Sequence, residues 1–179
     1  MKETPRPCTA FAVAGSLAVA ALLAALPALV HGQPGLRAER AELDLAADQS
    51  AYEPGETAHL AAVVTIEPGW HVNAHEPTFD YLIPTELTVE VPAGWPAAKI
   101  AYPEPVTRTF AFADQPLAVY KEQTVIVVTL AVPPSAVPRK ASIAAKLRYQ
   151  ACDDRSCLPP VTTALPLDLT VGSGGAPIN

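Results

Sequence analysis

Cys152 and Cys157 stand four residues apart in YQACDDRSCLPP, residues 149–160, with Asp153, Asp154, Arg155 and Ser156 between them and a proline pair after them. A bridge between the two closes a loop of six residues. In the chain-entropy model such a loop contributes about 2 kcal/mol, against nearly 5 kcal/mol for a loop of a hundred residues. As a staple it is weak. Pro159 and Pro160 lack N–H donors, so regular pairing after Cys157 is not expected until about Val161. That places the cysteines at an open end or edge, and short, accessible bridges are the labile ones. The spacing therefore favours thiol-disulfide exchange, with a small structural bridge in an exported binding or assembly domain as the alternative.

Other chemistries fit the pair less well. Thioredoxin-type sites place two residues between the cysteines at a helix N-terminus; here four intervene and the prolines forbid a following helix. A zinc site needs two further ligands, and none lies at a familiar spacing. No metal and no cofactor is assigned. Asp153 and Asp154, adjacent on a turn, read as solvated side chains rather than a catalytic carboxylate pair. Within the pair, their charges disfavour an anion on Cys152, whereas Arg155 and Ser156 separate them from Cys157. Cys157 is thus the expected nucleophile and Cys152 the resolving thiol.

The setting must keep these thiols paired. Lys2 and Arg6 precede an apolar run from Phe11 to Val30, and Val30-His31-Gly32 suits cleavage before Gln33. This is the pattern of a secretory signal peptide over residues 1–32. The run approaches membrane-spanning length, so a retained N-terminal anchor stays open as an alternative. Export implies an oxidising compartment. Cys8 lies before the apolar run and leaves with it, so only Cys152 and Cys157 remain. Cleavage leaves 179 − 32 = 147 residues, enough for one domain with a real core, expected as a monomer. Its formal charge becomes (12 − 2) − (18 − 1) = −7. No basic stripe is left for nucleic acid.

Twenty prolines scattered through the chain leave no long stretch free for helix. Between them apolar residues alternate: Leu60, Ala62, Val64 and Ile66; Leu87, Val89 and Val91; Ile126, Val128, Leu130 and Val132. The same period returns in Ile143, Ala145, Leu147 and Tyr149, and in Leu165, Leu167, Leu169 and Val171. These are half-buried strands. Breaks at Glu53-Pro54-Gly55-Glu56, Glu67-Pro68-Gly69, Pro92-Ala93-Gly94 and Pro133-Pro134 have the spacing of a sandwich. The expected fold is all-β, an immunoglobulin-like antiparallel β-sandwich of two sheets over residues 33–171, with a flexible tail over 172–179. Tyr102 to Gln123 is poorly periodic and carries Phe110 and Phe112. It reads as a long loop or an irregular hairpin with a function.

YQACDDRSCLPP, together with GWHVNAHEPTFDYLIPTEL (Gly69 to Leu87) and PLAVYKEQTVIVVTL (Pro116 to Leu130), resembles the N-terminal periplasmic domain of the thiol:disulfide interchange protein DsbD. The resemblance runs from about Leu43 to Val171. It implies an immunoglobulin-like domain that takes reducing equivalents from a membrane-embedded thiol reductant and passes them to periplasmic thioredoxin-fold proteins. It also implies a redox pair at Cys152 and Cys157, flanked by Tyr149, Asp153, Asp154 and Arg155. An aromatic cap from the 102–123 segment would cover the pair, with Phe110 or Phe112 as the covering ring. The full-length relative continues into a membrane domain and a thioredoxin-like domain, whereas this chain stops at Asn179. The expected electron source is then a separate protein, unless the relay has been lost.

His71 and His75 flank Asn73, and with His59 they offer a conceivable surface copper or zinc site. Pro68, Gly69 and Pro77 argue against the helix that would align the first two. Trp70 and Trp95 each follow a glycine-containing turn and read as core plugs rather than ligand platforms.

Overall fold

The computed structural model describes residues 39–173 and 175–178. The expected signal peptide, Cys8 and the expected domain start at Gln33 lie outside them.

Eleven strands and no helix make up the described residues, and every strand pair is antiparallel. The first sheet has the order β1 (Ala41–Ala47), β2 (Thr57–Ile66), β8 (Gln123–Ala131), β5 (Lys99–Ala101). The third has β11 (Val161–Val171), β9 (Arg139–Tyr149), β4 (Glu86–Glu90). Between them in sequence usage lies a second sheet of short strands: β10 (Ala151–Cys152), β3 (His71–Asn73), β7 (Leu117–Tyr120), β6 (Val106–Arg108).

The first and third sheets supply the two faces of one core. Leu60, Ala62, Val64, Ile126, Val128 and Leu130 are buried from one, and Leu87, Ile143, Ala145, Leu147, Leu169 and Val171 from the other. Burying each large aliphatic side chain stabilises the fold by about 1.5–3 kcal/mol. Period-two alternation sets which residues face inward, because a one-residue slip would expose the whole set. Pro166 is tolerated because β11 is an edge strand and its side chain is exposed. Trp70 and Trp95 pack partly buried against this core.

Where two sheets were expected there are three, because the chain changes partners at the ends of long strands. After Tyr149, whose partner is Val161, Gln150 breaks the ladder and Ala151 pairs with Val72 instead. Lys121 and Glu122 separate β7 from β8, and Glu122 adopts a φ of 59°. The turn from β2 to β3 closes with Trp70 N–H donating to Glu67 O at 3.0 Å. Gly69 at φ 84° occupies its third position, where a type II turn needs a positive φ. Of the tail expected to be flexible, Ala176 to Ile178 run beside residues 48–50: Ser50 N–H donates to Ala176 O and Ile178 N–H to Asp48 O.

Candidate functional site

The cysteine loop forms because Asp153 organises it. Its Oδ1 accepts the N–H groups of Arg155 at 2.8 Å and Ser156 at 2.7 Å. Those bonds from Arg155 and Ser156 hold its carboxyl below the usual range. Asp153 N–H donates to Ser156 O and Leu158 N–H to Ala151 O, both at 2.9 Å. Cys152 and Cys157 therefore face each other between two hydrogen-bonded pairs, in the position where antiparallel strands approach most closely. Their Cα atoms are 4.0 Å apart and their sulfurs are bonded. Gln150 Nε2 steadies the returning arm by donating to Leu158 O at 3.0 Å.

The two sulfurs have unequal surroundings. Cys152 is 1 % exposed, whereas Cys157 lies on the surface with Asp154, Arg155 and Ser156. On the side away from Cys157, Cys152 pairs with His71. Directly opposed residues in an antiparallel pair project to the same face with Cβ atoms about 4.5–5.5 Å apart. One row on one face thus reads Cys157, Cys152, His71. The His71 side chain is buried, and its Nε2 has no hydrogen-bond partner. Burial pulls the imidazole pKa down, against the opposing pull of Asp154 and Asp153.

Above His71 lies the segment after β6. β6 pairs with β7, so Tyr102 to Gln123 contains an irregular hairpin whose connection spans Thr109 to Pro116. A turn closes as Ala113 N–H donates to Phe110 O at 3.2 Å. Phe110 stacks on His71 with ring centroids 4.1 Å apart and planes inclined by 19°. Phe112 stacks on the outer side of Phe110 at 5.4 Å and stays 43 % exposed. Beside this stack runs an open groove of about 690 Å³, lined among others by Trp70, His71, Arg108, Phe110, Lys121 and Asp154.

Side-chain bonds hold the short strands in place. Asn73 Nδ2 donates to Ile83 O at 2.9 Å, Thr85 Oγ1 donates to Asn73 O at 2.6 Å, and Ala118 N–H donates to Thr78 Oγ1 at 2.9 Å. Tyr149, expected beside the redox pair, directs its hydroxyl to β1: it accepts from Ala41 N–H and donates to Ala41 O, both at 3.1 Å. Asp154 and Arg155 are exposed at the loop tip.

The three histidines weighed as a metal site do not converge. His71 stacks under Phe110, His75 stacks on Tyr102 at 3.7 Å, and His59 lies beside Thr129 on the outer face of the first sheet. Among the described residues no group of three or more His, Cys, Asp and Glu side chains is placed to hold a metal ion. The residue that sequence reasoning missed at the cysteines is His71. Its only sequence signal was an ionisable residue opening a strand directly after a Pro-Gly turn, which does not reveal the pairing with Cys152.

A family profile described as thiol:disulfide interchange protein DsbD, N-terminal, matches residues 41–169. Among solved structures, the N-terminal periplasmic domain of ScsB from Proteus mirabilis is similar with a TM-score of 0.53 and 16 % identity, over 73 % of this chain and 47 % of that one. The chain thus spans about half the length of that relative, and at this identity the likeness concerns the fold. The reduced DsbD n-terminal domain of Neisseria meningitidis aligns over 74 % of this chain and 90 % of its own, with 15 % identity and a TM-score of 0.39. No curated protein is similar enough in sequence to count as a match.

Proposed function

The chain belongs to the DsbD N-terminal domain family, and from that premise we propose that it is a periplasmic thiol-disulfide exchange module working through Cys152 and Cys157. Reducing equivalents arrive from a membrane-embedded thiol reductant and leave to thioredoxin-fold proteins. The observation that carries this reading is the asymmetric bridge: one sulfur buried, the other exposed, with an aromatic stack over the buried side's strand neighbour.

In the reduced protein the Cys157 thiolate attacks a partner disulfide. One partner sulfur bonds to Cys157 and the other leaves as a thiolate. The Cys152 sulfur then attacks Cys157, the bridge re-forms, and the partner departs with both its sulfurs reduced. Two electrons have moved from the cysteine pair to the partner. Phe110, as a cap, closes the face while no partner is docked and lifts when one enters the groove. Arg108, Lys121 and Asp154 around that groove give a partner's surface charges to meet.

Equilibration against a thiol-disulfide buffer of known potential tests the reading. The expected reduction potential lies in the range of thioredoxin-like couples, about −270 to −180 mV. A potential well below about −300 mV marks a structural bridge. That outcome would sink the relay and favour an exported binding or assembly domain with a small stiffening disulfide.

A further inference from the structure

The row Cys157, Cys152, His71 contains an ionisable group that the exchange just described leaves without a task. His71 is the strand partner of Cys152, it is 5 % exposed, and its Nε2 is buried with nothing to bond. A buried polar atom without a partner costs roughly 1–3 kcal/mol, so it calls for a reason. In the oxidised protein the neighbouring sulfurs carry no proton. On reduction Cys152, the strand partner of His71, acquires an S–H able to donate.

The resolving step needs such a group. Cys152 is 1 % exposed, and burial in apolar surroundings raises a thiol pKa and leaves little thiolate at neutral pH. Once a partner is joined to Cys157 it also covers the approach of water. We propose that His71 is the general base of the resolving step, taking the proton of the buried Cys152 thiol as that sulfur attacks Cys157. The sulfur–sulfur bond between Cys157 and the partner breaks, its electron pair goes to the partner sulfur, and the imidazolium returns the proton to that leaving thiolate. Atoms and charge balance without a further reactant. Phe110, stacked on the ring, keeps the base dry and oriented until the partner displaces it.

The charges around the imidazole suit this use. Asp153 and Asp154 of the cysteine loop favour the imidazolium, while burial and Lys121 favour the neutral ring. Arg108 from the cap arm and Glu67 and Glu122 from the adjoining turns line the same groove. The neutral form prevails at rest, as a base requires, and two carboxylates attend the cation formed in transit.

The inference rests on the relay reading, and one experiment separates the two. Reduced protein is mixed with 5,5′-dithiobis(2-nitrobenzoate). Attack by Cys157 releases one thionitrobenzoate, and resolution by Cys152 releases the second. Removing a general base slows its step by about 10²-fold or more. In His71→Gln the second phase should therefore fall by about 10²-fold at pH 7, while the first shifts by no more than the roughly two- to tenfold that loosening the Phe110 stack allows. In His71→Ala, added imidazole should restore the second phase. The wild-type second phase should lose rate as pH falls below the ordinary histidine value of 6.5, and be flat from pH 7 to 8. An unchanged second phase in His71→Gln, or its slowing without imidazole rescue in His71→Ala, leaves the relay standing and removes the base. If either variant fails to fold, the wild-type profile decides: a second phase that climbs steadily to pH 8 with no inflection removes the base. Failure of the wild-type protein to release any second thionitrobenzoate removes the relay, and the inference with it.

Discussion

The body of the sandwich and its cysteine end are built by different means. β2, β9 and β11 run for 10, 11 and 11 residues, and their buried faces mesh in one aliphatic core. The sheet that carries the cysteines has strands of 2, 3, 4 and 3 residues. Side-chain bonds from Asn73, Thr85 and Thr78 and the stack of His71, Phe110 and Phe112 hold it together. Long ladders are cooperative and hard to open; short ones bounded by loops open locally at lower cost. Under the proposed relay the difference would separate stability from chemistry: the body fixes the platform, and the short-stranded end carries the exchanging sulfurs.

The largest effect is expected at the cysteines themselves. Cys152→Ser, which leaves the exposed Cys157 free, should accumulate a covalent complex with an oxidised thioredoxin-fold protein on non-reducing gels. Cys157→Ser should not, because the remaining thiol is buried. Trapping by Cys157→Ser alone would reverse the roles, and equal trapping would show that burial and loop charge do not set the direction.

Next comes a substitution confined to the body. Leu147 is fully buried on β9 opposite Leu87, and Leu147→Ala should cost about 2–5 kcal/mol in denaturant unfolding. Thiol-exchange kinetics of the folded variant should match wild type. A parallel loss of exchange would mean that the two regions are not separable. The converse manipulation, reducing the bridge, should cost about 2 kcal/mol or less and leave the strand signal in circular dichroism intact. Unfolding on mild reduction would restore the bridge to a structural role.

The sandwich was legible in the sequence because its period of two is sustained: the sets at Leu60, Ile126 and Ile143 all face inward. Turn chemistry was legible too, since Gly55, Gly69 and Gly94 all take positive φ. The split into three sheets was not, because it depends on Gln150, Lys121 and Glu122 interrupting ladders, and none of them is a strong breaker. At the site, the cysteines and the aromatic hairpin stood out by residue type. His71 did not, because all three residues of β3 are buried, so that no alternation marks its face. Its pairing to Cys152 is a contact across 81 positions, set by where β9 ends. Tyr149 follows the same logic in reverse: its parity belongs to the β9 core set, and its side chain serves β1 rather than the loop.

A smaller effect grades the cap. A stacked aromatic pair contributes about 0.5–1.5 kcal/mol beyond its area, roughly a two- to tenfold change in an open population. Phe110→Ala, which removes the ring resting on His71, should speed reduction of the bridge by dithiothreitol by about that factor. Phe112→Ala, which removes only the outer ring, should do less. The reverse ranking would move the cap to Phe112, and no change in either folded variant would remove the cap altogether.

The smallest effect is a pH dependence of stability that differs between the two regions in the oxidised protein, where no thiol titrates. His71 has its pKa lowered, by burial first, against Asp154 and Asp153, while Lys121 lowers it further. Below the ordinary value of 6.5 the unfolded chain therefore binds a proton that the folded one resists. Stability is full above that value and declines as pH falls toward the folded pKa. In the body's flank, burial raises the Asp48 carboxyl, but the Tyr52 hydroxyl at 2.5 Å and the His59 N–H outweigh it and leave its pKa lowered. Its contribution is present above the ordinary value of 3.8 and is lost only as pH falls through the lower folded value. Urea midpoints from pH 7.5 to 5 should thus drop in wild type and drop less in His71→Gln, whereas Asp48→Asn should lower the midpoint by a constant amount across that range. If His71→Gln keeps the full wild-type slope, the imidazole is not desolvated in the folded protein, and the closed stack over it is not its resting state.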